Sequence, residues 1–397
     1  MILEGIDLSS YFWIFVLFVL VDAFKTFIEI GNRPVSRAFS SDLTKVTALI
    51  PTHNGRRVIR QTVADLLAAG IPRDQILVID DGSTDGTAAI LKDLGVPFHT
   101  IPNMGKVSAI NFGIHRVRTP YVLLLDDDTR LGGARVPTSL LEKYDAVAFN
   151  VIPDRRDRHG PRGSGFVACL QRYEYCKSME IGRRFQDGTA SISCISGAIG
   201  LFKRERLQAF HHKHTGVFQG EDLQRTIIEL LNDGNVVFVD EQVWTVVPDR
   251  VTGLARQRII HWYPAHYHMF FSYVALLFRR GSPWRLRYEM LYNVFVVVSE
   301  PFRFWSLMMI LFRALWAELG LLYLLYLLLE AYPFFLIQRK LDSGYRYLVL
   351  LLYPAFGLAN VVLRVLSWFV WFYKRFVTKE MRRRTEKDRR WSAPADA

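Results

Sequence analysis

The chain is read as an α/β domain with a mostly parallel sheet, joined to an α-helical transmembrane region. Three observations predict this class. Between residues 45 and 125, strand-like apolar runs alternate with helix-like runs, the rhythm of a parallel sheet with crossover helices. Polar clusters, "PTHNG", "DDGSTDG" and "DDDT", fall where these strands end, and open α/β sheets receive ligands outside the carboxyl ends of their strands. At 11–30 and again beyond residue 263, Leu, Phe, Tyr, Val and Trp dominate, over lengths near the roughly 20 residues that span a bilayer.

Taken in order, "YFWIFVLFVLVDAFKTFIEI" (11–30) lacks a basic start and a small-residue cleavage site. It is therefore a retained anchor helix rather than a signal peptide, with Asp22 and Lys25 near the interface. "KVTALIP" (45–51) is a buried strand closed by Pro51, and "VIRQTVADLLAAG" (58–70) a helix stopped by Gly70. "QILVIDDGSTDGT" (75–87) is a second strand breaking into a Gly-rich turn, after which Thr84 or Asp85 caps a helix. "NMGKVSAINFGIHRV" (103–117) is a loop feeding a helix, and "YVLLL" (121–125) the next strand. "SCISGAIGLFKRERL" (193–207) is a small-residue segment, suited to tight strand packing or to the close approach of a polymer or lipid. "FQGEDLQRTIIELLNDG" (218–234) is an amphipathic helix, and "GLARQRIIHWYPAHYH" (253–268) an interfacial one with snorkelling arginines. Apolar stretches follow at 286–317, interrupted by Glu300, Pro301 and Arg303, and at 319–337 and 346–373.

This divides the chain into an anchor and linker (1–40), a cytoplasmic domain (41–250), interface helices (251–285), transmembrane helices (286–375) and a basic tail (376–397). Half of the residues are hydrophobic and 14% aromatic, which excludes a disordered chain. The net charge of +12 is explained by topology and by contact with anionic lipid headgroups, without nucleic-acid binding. The first ten residues carry no Lys or Arg, whereas Lys25, Arg33, Arg37 and the tail are basic. An integral protein of the cell membrane is expected, with the amino terminus outside and both the central domain and the tail cytoplasmic. That orientation requires two or four crossings after residue 250. Cys169, Cys176 and Cys194 match no zinc spacing and are expected to be reduced. "HHKH" (211–214) is read as no metal site, and "PDRRDRHGPRG" (153–163) as a solvated loop.

The chemistry gathers at the strand ends. Burying Asp126, Asp127 and Asp128 together is costly unless a cation compensates them. No later Glu completes a calcium loop, so a compact Asp-x-Asp suits magnesium or manganese sharing its coordination with substrate phosphates. Asp80 and Asp81 form a second acidic strand end. Lys106, at a helix start beside a glycine, suits phosphate. Glu221 and Asp222 open the 218–234 helix, where Asp222 is the candidate general base.

The ordered series "IPTHNG", "VIDDGSTDGT", "NMGKVSAIN", "LLLDDDT", "SGAIG" and "GEDL" resembles the family 2 glycosyltransferases of the membrane-embedded, polymer-making kind, such as hyaluronan, cellulose and chitin synthases. The resemblance implies a GT-A fold and inverting, metal-dependent sugar transfer from a nucleotide-diphosphate sugar, by family default a UDP-sugar, to a growing polysaccharide. Pro51, Thr52, Asp80 and Asp81 would hold base and ribose, Lys106 the diphosphate, and Asp126 and Asp128 the nucleotide and metal. Asp222, with Glu221 beside it in the motif, would act catalytically, and Ser196, Gly197 and Ala198 would meet the acceptor sugar. Two departures stand out. "THNG" replaces a tyrosine-asparagine-glutamate run, and the Gln-x-x-Arg-Trp motif is reduced to "RIIHW". There Arg258 and His261 take the Gln and Arg places, or Gln257 and Arg258 do so with one extra residue, before Trp262. A diphosphate-clamping and acceptor-stacking role falls to Trp262. Two rival readings remain: single transfer to a polyprenyl phosphate or other lipid, and a transporter or binding subunit with a degenerate catalytic fold.

Overall fold

A computed structural model of the protein describes residues 8–32, 35–154, 165–215, 220–341 and 346–378. Most of the arginine-rich loop and of the basic tail lies outside them. Strands β1 (Val46–Thr52), β2 (Ile76–Asp80), β3 (Phe98–Thr100) and β4 (Tyr121–Leu125) build a parallel half-sheet around β1. Every residue of β1 and β2 is buried, as expected of parallel strands covered on both faces. Pairing of β1 with β4 covers only Val46–Leu49, so Pro51 withholds no hydrogen bond from that neighbour. Helices α2 (Ile59–Ala68), α3 (Thr87–Leu94) and α4 (Lys106–Ile114) link these strands. Of the two capping candidates before α3, Asp85 is used: its carboxylate accepts the Thr87 N–H at 3.0 Å. Gly82 turns the chain after β2 at a φ of 70°. A Cβ there would lie 2.8 Å from the Asn103 nitrogen, so the turn and the loop into α4 close on each other only with glycine present.

The other half of the sheet is mixed. Strands β5 (Ala146–Pro153), β6 (Ile199–Lys203) and β7 (Val236–Thr245) complete the order β3-β2-β1-β4-β6-β5-β7. β6 runs antiparallel to both neighbours. Within the 193–207 segment, β6 is tightly packed: a Cβ on Gly200 would meet Ile195 at 2.5 Å. Reversal of β6 has a functional result. Ile199, its first residue, pairs with Leu125, the last of β4, so residues 196–198 arrive beside Asp126.

Helices α5 (Phe166–Lys177), α6 (Arg184–Asp187), α7 (Arg204–His211) and α8 (Glu221–Leu231) complete the domain. The expected amphipathic helix is two short helices, α9 (Val251–Arg256) and α10 (Tyr263–His268), joined by a π-helical turn at Gln257–Trp262, and α11 (Phe270–Phe278) follows. Among the described residues, four helices are long and apolar enough to cross a membrane: α1 (Leu8–Ile30), α12 (Trp284–Phe312), α13 (Trp316–Ile337) and α14 (Arg346–Phe372). Three of them follow residue 250, where the sequence reading required two or four crossings. Hydropathy reports length and apolarity but not direction, and α14 shows why that matters. Tyr353 packs edge-on against Tyr173 of α5 (centroids 4.6 Å apart), Asn360 accepts the Tyr263 hydroxyl at 2.9 Å, and Trp368 lies 4.8 Å from the Tyr267 ring. From Tyr353 to Trp368, one side of α14 follows the domain face formed by α5 and α10, while Leu358, Val361 and Val362 pack against the apolar cluster of α1, α12 and α13.

Candidate active site

The carboxyl edge of β4, the start of α4, the 196–198 turn and the start of α8 meet at one corner. The Asp126 N–H donates to the Ala198 carbonyl at 3.0 Å, and Thr129 Oγ1 donates to the same oxygen at 2.7 Å. Lys106, first residue of α4, reaches Asp126 at 2.6 Å and Glu221 at 2.5 Å. Asp222 accepts the Gly197 N–H at 2.9 Å on one oxygen and the Leu223 N–H at 2.8 Å on the other. A Cβ on Gly197 would stand 3.5 Å from Lys106 Nζ, from Glu221 Oε1 and from Asp222 Oδ2 alike. Three charged groups therefore focus on one point above the turn.

Their protonation follows from these contacts. Burial opposes charge on Lys106, but Asp126 and Glu221 outweigh it and hold the ammonium above the usual lysine range. For Glu221 burial is likewise overcome, by Lys106 and Arg225, and its carboxyl is held down. Burial pushes the Asp126 carboxyl up against the pull of Lys106. Asp222 is pushed up by burial and by the Glu221 charge beside it, the direction that makes a carboxylate a better proton acceptor. Cys194 Sγ stands 4.0 Å from Asp222 Oδ2, and burial drives its thiol up to about 12. Cys169, Cys176 and Cys194 form no disulfide.

The acidic triplet splits. Asp127 turns to the Thr52 hydroxyl, and its carbonyl accepts Thr62 Oγ1 at 2.5 Å, so it ties β4 to β1 and α2. Among the described residues no three acidic, His or Cys side chains converge on a metal position; within "HHKH", His214 is buried with its Nε2 2.8 Å from the Glu221 carbonyl, and His212 is exposed. Asp126 and Asp128 remain at the corner. Burial and the charges of Asp126 and Asp127 push the Asp128 carboxyl up to about 8, a site short of positive charge. Two such carboxylates fit a magnesium or manganese ion that takes its other oxygens from water and a diphosphate.

Several implied nucleotide contacts are differently engaged. Asp80 accepts the Ser83 N–H at 2.9 Å and Thr100 Oγ1 at 3.2 Å. Asp81 accepts the Met104 and Gly105 N–H groups, each at 2.8 Å. Both are buried and hold the loop that presents Lys106, where the resemblance implied ribose and base. Pro51 and Thr52 close the same edge. Arg258 is 1% exposed, paired with Glu174, and its guanidinium carbon lies 3.8 Å from the centre of the Trp262 ring. Lys106 and Arg258 bind different carboxylates. His261, whose imidazole burial lowers to about 4, is neutral at pH 7.

Behind Asp222 opens a cavity of about 490 Å³. Ser196, Asp222 and Trp262 border its domain end, the stretch from Glu174 to Gln186 forms one wall, and residues of α1, α12, α13 and α14 line the membrane side. Asp22 and Lys25, expected near the membrane interface, line this cavity. Asp22 pairs with Arg303 at 2.5 Å, and Lys25 with Glu29 at 2.6 Å and Glu289 at 3.2 Å. Charges inside a helical bundle mark a path for polar molecules. Sequence reasoning missed Glu174 and Tyr175, which also border the cavity; their type and spacing on α5 carry no signal without the partner helices.

Residues 47–207 match the sequence model described as Glycosyl transferase family 2. The chain carries a family 2 glycosyltransferase domain. The chain is 28% identical over 226 residues to a poly-β-1,6-N-acetyl-D-glucosamine synthase of Staphylococcus epidermidis, covering 54% of this chain and 53% of that one. It is 26% identical to the enzyme of the same description from Staphylococcus aureus, over 55% of this chain and 54% of the other. The match thus spans about half the length of these curated relatives. Among solved structures it is similar to the mannosyltransferase PcManGT of Pyrobaculum calidifontis, determined with GDP-Man and Mn2+. The TM-score is 0.58 at 16% identity, over 90% of this chain and 99% of that one. The domain has the GT-A fold.

Proposed function

We propose that the glycosyltransferase extends a polysaccharide at the membrane, using a nucleotide-diphosphate sugar and inverting the anomeric carbon. The observation that carries this reading is the cavity that joins Asp222 to the membrane helices. It gives an acceptor chain a polar route to the base from the side opposite Lys106 and Asp126. In the reaction the acceptor hydroxyl loses its proton to Asp222 as its oxygen bonds to the anomeric carbon, while the bond from that carbon to the diphosphate oxygen breaks. The Gly197 and Leu223 N–H groups fix both Asp222 oxygens, so the base is aimed before substrate arrives. Lys106 places a permanent positive charge beside the departing diphosphate. A divalent cation at Asp126 and Asp128 would add positive charge to the same leaving group.

Because the relatives are poly-β-1,6-N-acetyl-D-glucosamine synthases, N-acetylglucosamine on a UDP carrier, the family default, is the first donor to try, and the GDP-Man in the structural neighbour argues for screening guanosine donors beside it. In the membrane, α1, α12 and α13 cross and α14 lies along the domain's membrane face, which leaves two crossings after residue 250. The amino terminus is then outside and the tail cytoplasmic. The test is incorporation of radiolabelled UDP- and GDP-sugars, singly and in pairs, by purified protein, with product size as the second readout. Asp222→Asn is expected to lower incorporation by about 10³-fold or more, with the donor still bound. Substantial activity in that variant removes Asp222 as base, and a single-sugar lipid product replaces the polysaccharide reading with lipid transfer.

A further inference from the structure

One wall of the acceptor cavity is held by groups that the proposed reaction does not use. Trp262 ends the π-helical turn that Arg258 nearly begins, and the guanidinium covers the indole at 3.8 Å. Stacking of this planar cation on an aromatic face fixes both side chains. Arg258 is 1% exposed, so its charge needs a partner inside the protein. That partner is Glu174 on α5, bonded through Arg258 Nη2. Next to it on α5, the Tyr175 ring stands 5.9 Å from the Trp262 ring at 49°. Glu174, Tyr175 and Trp262 border the cavity together with Ser196 and Asp222, whereas Arg258 lies behind that wall.

We propose that Glu174 is a positioning residue for the acceptor: by holding Arg258 against Trp262 it fixes the indole face that the incoming chain meets, and it leaves donor binding untouched. This rests on the polysaccharide reading above. It also gives Arg258 a place behind the acceptor wall instead of a diphosphate contact. Glutamine at 174 keeps an oxygen for the guanidinium, while alanine leaves Arg258 buried without its carboxylate and frees Trp262 to tilt.

The experiment uses the full-length protein in lipid nanodiscs. Affinity for UDP and for GDP is measured by calorimetry, and initial rates and product length with the labelled donor that the screen selects. Glu174→Ala is expected to raise the acceptor KM, or shorten the product, by about tenfold. Its donor KM and nucleotide affinity stay within about twofold, and Glu174→Gln recovers most of the loss. Arg258→Lys, which keeps the charge and loses the flat face, is expected to show the same acceptor-side defect and serves if the alanine variant does not fold. Unchanged acceptor use in Glu174→Ala and Arg258→Lys, or a loss of nucleotide affinity equal to the loss of activity, overturns the proposal. A wild-type protein that makes only a single-sugar lipid would defeat the polysaccharide reading, and the donor-versus-acceptor split in Glu174→Ala would still decide the role of Glu174.

Discussion

Lys106 is bonded to Asp126 and Glu221 at 2.6 and 2.5 Å, so one ammonium offsets part of the negative charge that Asp126, Asp128, Glu221 and Asp222 bring to this corner. Replacing it with methionine keeps the bulk and removes that charge. Lys106→Met is expected to reduce kcat/KM for the donor by about 10²–10³-fold, measured as initial rates with labelled donor, and an effect below tenfold would mean the charge is dispensable. The motif residues of this corner were legible in the sequence because their chemistry is local: Asp126, Lys106 and Asp222 each stand at a strand or helix end that the hydrophobic pattern marks. Glu174 was not legible, since its meaning lies in Arg258, 84 positions away, and no local pattern connects α5 to the π-helical turn.

Among the elements, α1 is held to α12 by more than apolar contact. Asp22 accepts from both terminal nitrogens of Arg303, at 2.5 and 2.9 Å, and from the Tyr292 hydroxyl at 2.9 Å. The Arg303 side chain is only 7% exposed. Removing one partner of a buried pair strands the other charge, at a cost of about 3–5 kcal/mol. Asp22→Ala is therefore expected to lower the melting temperature in detergent clearly, and adding Arg303→Met to recover part of it. Melting that is unchanged in the single variant would show that the pair contributes nothing to the packing of α1. Strand and helix positions were readable from period and punctuation in residues 45–125. The direction of β6 was not, because a short apolar strand reads the same in either sense.

For the whole molecule, the side of the membrane occupied by the tail decides between two arrangements of the same helices. With α14 lying on the domain's membrane face, the tail and the domain share a side; with α14 crossing, they do not. In a background lacking the three native cysteines, Ser41→Cys beside the domain and Ser392→Cys in the tail are expected to react with a membrane-impermeant maleimide from the same side, in inside-out vesicles only. Labelling of the two from opposite sides would make α14 a crossing helix. The sequence exposed the apolar lengths and the basic tail, but the contacts from Tyr353 to Trp368 that hold α14 against α5 and α10 depend on packing that no hydropathy window samples.

One backbone atom also bears on how such a chain can diverge. The Ala198 carbonyl accepts from the Asp126 N–H and from Thr129 Oγ1, and two positions earlier Ser196 borders the acceptor cavity. The parallel half-sheet that ends at Asp126 and the mixed half that begins beside the cavity are pinned at this oxygen, by main-chain geometry that is indifferent to most side chains. Substitutions that retune the nucleotide edge and substitutions that reshape the membrane cavity can then accumulate separately, each on its own side, while the span between leaving group and base is inherited unchanged.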